Sequence, residues 1–411
     1  MNQQLKLFDH LTHRANLRSS RYGWLRLTPA YSVHLVKTVL NDVRLQPDSV
    51  VLDPFCGTGT TALVCAEQGI ACDTIDINPF LVWLTRAKTQ VYLSEDIRSF
   101  VEASQTIAEM VRTTEVFTPV WLPPLHQIEK WWPQEIVHIL GFIMKIICDM
   151  EQDLDTKILD LLKIAFCRTM ITHSNASFNH QSMSFKQTTN YSPFFNSKDD
   201  VILTWEAAIH DLAQAARTTI VRPPRIFIGD AKQLSALLPV HYYDCVITSP
   251  PYPNRMSYIR ELRPYMYWLQ YLSDGRQAGE LDWQSIGGTW GVATSRVSKW
   301  EPTHQQSIPH PLFSTILERI AEKSDTLTRY VHKYFYDMAK HIEELFLVTA
   351  PGGSVHYIIG NSKFYDVLVP AEEIIAALFE ASGFTNTVIK PIRKRTSKRE
   401  LYEYIVSAIK P

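Results

Sequence analysis

SVVLDPFCGTGTTALVCAEQGIACDTIDINP, residues 49 to 79, decides the fold. Its opening, Ser49 to Asp53 (SVVLD), is a short apolar run ended by an acid, the pattern of a strand buried on both faces of a parallel sheet. A turn rich in Gly and Thr follows, then a helix over Thr60 to Gln68, then a second strand, Ala71 to Asp76, closed by another acid. Together they make one βαβ unit of the usual size. The glycines let backbone approach a ligand closely, and the helix N-terminus behind them offers free N–H groups. The turn is neither GxGxxG nor a P-loop with its phosphate-binding lysine, which weakens dinucleotide and nucleoside triphosphate readings.

Working outward, Arg225 to Ile228 (RIFI), Asp244 to Thr248 (DCVIT) and Gly353 to Ile359 (GSVHYII) predict three further strands of the same open sheet. Helix Ala371 to Ala381 and two β-like runs, Thr387 to Pro391 and Glu403 to Ile409, predict a closing antiparallel hairpin. The expected fold class is α/β and Rossmann-like: a mostly parallel twisted sheet with an antiparallel C-terminal hairpin, plus a large, mainly helical insertion. Residues 91–221 exceed what a βα connection uses. They carry helical patterns over Asp96 to Arg112, Pro133 to Met150 and Thr156 to Met170, then a polar stretch from Thr172 to Asp200. A second, irregular insertion spans 273–311. The division expected is one sheet domain made of 1–90, 222–272 and 312–411, interrupted by a mainly helical insertion, 91–221, and a loop insertion, 273–311.

With 411 residues, 45% hydrophobic and 20% charged, the chain has the composition of a soluble globular protein with a sizeable core. No apolar run reaches the roughly 18 residues that span a bilayer, and the first twenty residues lack a signal-peptide core, so a cytoplasmic location is expected. The six cysteines form no CxxC pair, and Cys167 with His173 and His180 matches no zinc spacing, so neither a disulfide framework nor a metal is expected. A net charge of −1 argues against a whole-surface polyanion binder while allowing local basic patches. Two stand out: Arg14, Arg18, Arg21 and Arg26, and Lys390, Arg393, Lys394, Arg395, Lys398 and Arg399. Each also reads as an ordinary solvated face.

Asp76 ends the second strand, where a carboxylate can accept both hydroxyls of a ribose; Asp230, in GDA after the third, can accept from an adenine amino group. Singly, each acid reads more simply as a helix cap or loop residue. Jointly, at the ends of successive strands, they fall at the crevice where such sheets bind ligands. TSPPY, Thr248 to Tyr252, follows the fourth strand. Two prolines remove N–H donors and hold the chain rigid and extended. The Ser249 oxygen and the Pro250 carbonyl can then accept the two hydrogens of an exocyclic amine, while Tyr252 offers a flat face to a base.

DPFCGTGTT and TSPPY resemble the cofactor loop and catalytic motif of the amino-methylating DNA methyltransferases of the class I S-adenosylmethionine-dependent fold. RLTPAYSVHLVKTVL (Arg26 to Leu40) is similar to that family's cofactor-flanking N-terminal motif, and APGGSVHYIIGNS (Ala350 to Ser362) to its later strand motif. The resemblance covers about half of the chain. It implies S-adenosylmethionine as cofactor, with Asp53, Phe55, Gly57 and Gly59 around the methionine part, Asp76 at the ribose, and Asp230 with Ala231 at the adenine. Thr28, Pro29, Pro54 and Ile77 complete the implied set. It further implies double-stranded DNA as substrate, a flipped base held by Ser249, Pro250, Pro251 and Tyr252, and a cognate restriction endonuclease as partner.

Ser at the first motif position usually accompanies N4-cytosine methylation in this family, with N6-adenine the alternative. The motif order is α-like, although the bulk of the insertion precedes the GDA strand. Ser174 to Ser197 and Ser273 to Pro311 hold Asn, Gln, Ser and Lys side chains able to read base edges. No Pro-Cys pair occurs where a C5-cytosine enzyme would carry its nucleophile. The rival readings are an RNA base amino-methyltransferase, a protein glutamine methyltransferase, which typically has Asn before Pro-Pro-Tyr, and a non-catalytic DNA-binding subunit.

Overall fold

The computed structural model describes residues 16, 20–27, 30–118, 121–177, 184–185, 197–254, 257–289, 291–302, 308–395 and 400–411. Its main strands are β1 (Val50–Asp53), β2 (Ala71–Asp76), β3 (Arg225–Ile228), β4 (Tyr243–Thr248), β5 (Thr349–Gly360), β6 (Thr385–Lys394) and β7 (Tyr402–Ile409). They form one seven-stranded sheet in the order β6-β7-β5-β4-β1-β2-β3. Every neighbouring pair is parallel except those made by β7, which runs antiparallel to both β5 and β6. The closing hairpin is therefore present, but β7 inserts between β5 and β6 rather than lying at the edge. Strand order reverses between β1 and β4, which opens a crevice beyond their C-terminal ends, where sheets of this class bind ligands.

Alternation along the central strands explains the layering. Val51, Cys245 and Ile247 face one side, packed with Val36, Leu40 and Leu63. Leu52, Val246, Val355 and Tyr357 face the other, packed with Val331, Phe335, Ile342 and Ile375. The first layer comes from α1 (Val33–Val43) and α2 (Thr60–Gln68), and α3 (Pro79–Thr89) follows β2. The insertion contributes α4 (Ser94–Thr113), α5 (Gln134–Asp149), α6 (Thr156–Thr172) and α7 (Lys198–Ala216), and α8 (Tyr258–Trp268) follows the TSPPY loop. Phe80 and Trp83 of α3 share one apolar cluster with Ile107, Leu140, Leu161, Phe166, Leu212 and Trp268, so the insertion is fused to the sheet and its helices through a common core. Downstream lie α9 (Gly275–Gln284), α10 (Asp325–Val348) and α11 (Ala371–Ala381); α10 and α11 form the second layer.

Two segments depart from the sequence reading. The polar tract expected to run to Asp200 gives way to α7, because Ser197 and Asp200 close a capping box, each side chain accepting from the other's backbone N–H. The 273–311 insertion, expected to be irregular, holds α9 and a short helix, Val292–Val297. Asp274 caps α9 through the Gln277 N–H at 2.8 Å. A Cβ on Gly288 would lie 1.7 Å from the Asp282 carbonyl oxygen, so this fold-back requires glycine.

One member of the N-terminal basic patch turns inward. Arg21 is fully buried, and its guanidinium donates to the carbonyls of Lys88 (2.9 Å), Gln90 (2.5 Å), Ala215 (3.4 Å), Ala216 (2.6 Å) and Thr218 (2.9 Å). One side chain thereby caps the C-terminal ends of both α3 and α7, where carbonyls lack intrahelical partners and favour a cation. Arg26 is exposed, whereas Arg14 and Arg18 lie outside the described residues. Among the described residues no cluster of His, Cys, Asp and Glu could hold a metal, and no helix is long and apolar enough to cross a membrane.

Candidate functional site

The loop after β1 turns through Gly57 (φ 52°) and Gly59 (φ 77°), a backbone region that favours glycine. Gly59 also packs tightly, since a Cβ there would sit 2.6 Å from Thr85 Oγ1. The Gly57 N–H donates to Asp76 Oδ2 and the Asn78 N–H to Asp76 Oδ1, both at 2.9 Å, which binds the loop to the end of β2. Burial raises the Asp76 carboxyl to about 6, against the pull of those N–H groups.

Asp53 is fully buried, and its Oδ1 accepts from Thr248 Oγ1 at 2.6 Å and from the Phe55 N–H at 3.2 Å. It therefore ties the end of β1 to the end of β4, the two strands that carry the motifs. Burial pushes its carboxyl up to about 7.

Above these carboxylates lies a cavity of about 250 Å³. Pro54, Phe55, Gly57, Asp76, Ile77, Asp230, Ala231 and the whole run Ser249, Pro250, Pro251 and Tyr252 line it. Asp53 and Gly59 brace the cofactor loop from outside the lining. Thr28 and Pro29 lie outside the described residues, although Ala30 and Tyr31, which follow them, line the cavity. Asp230 also caps the turn after β3, accepting from the Lys232 N–H at 2.9 Å. Of the C-terminal basic run, Arg393 and Arg395 line the cavity, Lys390 and Lys394 are exposed on β6, and Lys398 and Arg399 lie outside the described residues.

In the TSPPY segment, the Ser249 hydroxyl donates to the Ile358 carbonyl at 3.0 Å, so what its oxygen offers a ligand is acceptor capacity. Tyr334 OH donates to the Pro251 carbonyl at 2.7 Å, which fixes the direction of the Pro-Pro segment. Tyr252 OH donates to Glu403 Oε1 at 2.8 Å, and Arg393 Nε donates to Glu403 Oε2 at 2.7 Å. The Arg395 guanidinium lies 5.0 Å from the Tyr252 ring centroid, over its face. Burial, then the Glu403 charge, holds the Tyr252 hydroxyl well above its ordinary value, so it remains a neutral donor.

Several of these residues carry no sequence motif. Glu403 sits in a strand of alternating tyrosines, and Tyr334 lies mid-helix. His341 on α10 is fully buried between the Ala231 carbonyl (2.8 Å from Nδ1) and Tyr357 OH (2.5 Å from Nε2), and its ring meets Phe55 edge-on at 4.6 Å. Burial lowers it to about 4, so a neutral imidazole braces two cavity-lining residues. Asp282, Gln284, Ser285, Ile286 and Gly288 form a further wall, which the Gly287-Gly288 pair could have signalled.

The chain is similar to known DNA methyltransferases. Residues 28–87 match the family model of the N6/N4 type described as DNA methylase. The type II methyltransferase M.AvaI of Nostoc is 22% identical, covering 95% of this chain and 85% of its own length. M.MvaI of Kocuria varians is also 22% identical, covering 91% and 87%. M.BsoBI of Geobacillus stearothermophilus is likewise 22% identical, covering 95% and 82%. The matched domain and these full-length relatives, with the two strand-end motifs converging on one cavity, support an amino-methylating DNA methyltransferase.

Proposed function

We propose that this chain transfers a methyl group from S-adenosylmethionine to the exocyclic amine of a base flipped out of double-stranded DNA, N4 of cytosine ahead of N6 of adenine. The observation that carries the reading is the convergence of the glycine-rich loop, Asp76, Asp230 and Ser249 to Tyr252 on one cavity. That lining suits a cationic nucleoside: two carboxylates at successive strand ends, apolar faces from Phe55 and Ile77, and close backbone at Gly57. Pro54, Phe55, Gly57, Asp76, Ile77, Asp230 and Ala231, with Thr28 and Pro29, would hold the cofactor, while Asp53 and Gly59 shape the loop beneath. When bound, S-adenosylmethionine supplies an electrophilic methyl group on its sulfonium.

The chain's own residues do the rest. A base within a duplex cannot reach a sheet-edge pocket, so the nucleotide is extruded at a cost of a few kcal/mol and stacks on Tyr252, whose ring Glu403 holds in place. The Ser249 oxygen and the Pro250 carbonyl accept the amine hydrogens, orient its nitrogen, and stabilise the positive charge that develops there. The preference for cytosine rests on Ser249. Residues 1–90, 222–272 and 312–411 are assigned to catalysis, and 91–221 and 273–311 to target recognition. The proposed setting is cytoplasmic, with a cognate restriction endonuclease as partner and exposed Lys390 and Lys394 as phosphate contacts.

Ser249→Ala and Tyr252→Ala test the assignment. Methyl transfer to DNA should fall by roughly 100-fold in each, the scale of losing a positioned transition-state contact, with cofactor affinity nearly unchanged. Full activity in both variants would sink it.

A further inference from the structure

Methylation of an amine leaves a proton to dispose of, and a base stacked in the pocket shuts bulk water out. Among the described residues four carboxylates line the cavity: Asp76, Asp230, Asp282 and Glu403. Three are tied to local structure. Asp76 accepts from the Gly57 and Asn78 N–H groups, Asp230 from the Lys232 N–H, and Asp282 from Ser257 Oγ at 2.5 Å. Glu403 differs, because the hydroxyls of Ser249 and Tyr252 lead to it in line.

The Ser249 hydroxyl donates to the Ile358 carbonyl at 3.0 Å, and rotation about its Cβ–Oγ bond turns the same proton towards Tyr252 OH, 3.5 Å away. Tyr252 OH donates in turn to Glu403 Oε1 at 2.8 Å. Both bonds run the same way, from the oxygen proposed to receive the amine to a buried carboxylate. The first is long, as catalytic hydrogen bonds often are before substrate draws them together. Burial, then the Glu403 charge, keeps the phenol neutral, so Tyr252 hands on a proton instead of storing a charge. At the far end Arg393 Nε donates to Glu403 Oε2 at 2.7 Å, which fixes the direction of the carboxylate.

We propose that Glu403 is the final acceptor of the amine proton, reached through Ser249 and Tyr252 as the methyl group arrives. Methyl transfer forms the N–CH3 bond at the expense of the donor's S–CH3 bond and puts a positive charge on the amine nitrogen. One amine proton passes to Ser249 Oγ, the Ser249 proton to Tyr252 Oη, and the Tyr252 proton to Glu403 Oε1. The incoming positive charge and the carboxylate's negative charge thereby cancel. The step rests on the reading of the chain as a base amino-methyltransferase. It gives Tyr252 a second duty beside stacking, and it makes Glu403 more than a brace for the ring.

The test is single-turnover methyl incorporation by the full chain, from labelled S-adenosylmethionine into genomic DNA of a host lacking the protein, in H2O and in D2O. The wild type should be slower in D2O, with a curved proton inventory, because several protons move together. Tyr252→Phe keeps the ring face and the Glu403–Arg393 pair but removes the middle hydroxyl. Its rate should fall by about 100-fold and its isotope effect vanish, while calorimetric affinities for cofactor and DNA stay near wild type. Glu403→Gln should behave alike, and Glu403→Asp, which restores a carboxylate, should recover part of the loss; if Glu403→Gln fails to fold, Tyr252→Phe carries the test alone. A fall of about tenfold or less in Tyr252→Phe, the scale of one lost hydrogen bond, would overturn the relay, as would equal wild-type rates in the two solvents. No transfer to DNA by the wild type refutes the functional reading itself, whereas transfer without an isotope effect refutes the relay alone.

Discussion

Replacing Gly59 by Ala should damage the cofactor loop by an amount that can be worked from its neighbours. The residue has φ 77°, and an added Cβ would lie 2.6 Å from Thr85 Oγ1 and 2.8 Å from Thr85 Cγ2. The left-handed backbone costs a residue bearing a Cβ about 1–2 kcal/mol. Forcing two heavy atoms apart in a packed interior costs about 1–3 kcal/mol more. The expected loss is about 2–5 kcal/mol, which in a chain of this size lowers the melting temperature by roughly 2–6 °C. Thr85→Ala removes both offending atoms, at the expense of the Thr85 Oγ1 contact with Cys56 Sγ at 2.9 Å. Gly59→Ala should therefore cost about 1–3 kcal/mol less in a Thr85→Ala background than alone, a coupling that a double-mutant cycle reads directly. Urea and thermal unfolding of the four proteins supply the numbers. A Gly59→Ala variant as stable as wild type, or strict additivity with Thr85→Ala, would refute the reasoning.

Three further outcomes are expected. Arg21→Met keeps an unbranched apolar stem but leaves buried carbonyls of α3 and α7 unpaired, so urea unfolding should show a loss above about 3 kcal/mol; a loss below about 1 kcal/mol would contradict the capping role. Tyr334→Phe frees the Pro251 carbonyl and should lower kcat about three- to tenfold, the equivalent of one hydrogen bond, without changing cofactor affinity; an unchanged kcat would remove Tyr334 from the positioning of the motif. The pH dependence of stability should carry the mark of Asp53. Its folded-state value of about 7 lies above that of an unfolded carboxylate, so its contribution is present in acid and lost as pH rises through 7. His341 and His356, both lowered to about 4, act in the opposite direction between pH 4 and 6.5, so the informative quantity is the difference between wild type and Asp53→Asn. The penalty of that substitution should be largest near pH 4, shrink as pH rises to about 7 and stay level above it; a constant penalty across pH 4 to 7 would contradict a raised Asp53.

The central strands were readable because burial on both faces forces near-continuous apolar runs, as in VVL before Asp53 and CVI before Thr248. Their ends were readable because ligand chemistry needs unusual local letters there, two glycines in one loop and two prolines in the other. The place of β7 was not, since its pairing with β5 joins Glu403 to Gly360 and nothing local in either segment encodes that choice. Glu403 carries no local signal for its role; it is buried because β7 is interior, and the tyrosine it holds is distant in sequence. α7 was hidden by its own cap, whose polar letters continue the polar tract before it. The C-terminal basic run illustrates the reverse error, in which charge density suggested a surface while Arg393 and Arg395 turned into the cavity.

The central claim is that Ser249 to Tyr252 present an exocyclic amine of a DNA base to a methyl donor. Its most direct test is mass spectrometry of nucleosides digested from the DNA of a host expressing the chain, beside a host expressing Ser249→Ala. The account predicts N4-methylcytosine in the first sample and its near absence in the second. N6-methyladenine in its place would overturn the choice of base, and no methylated base in either would contradict the account itself.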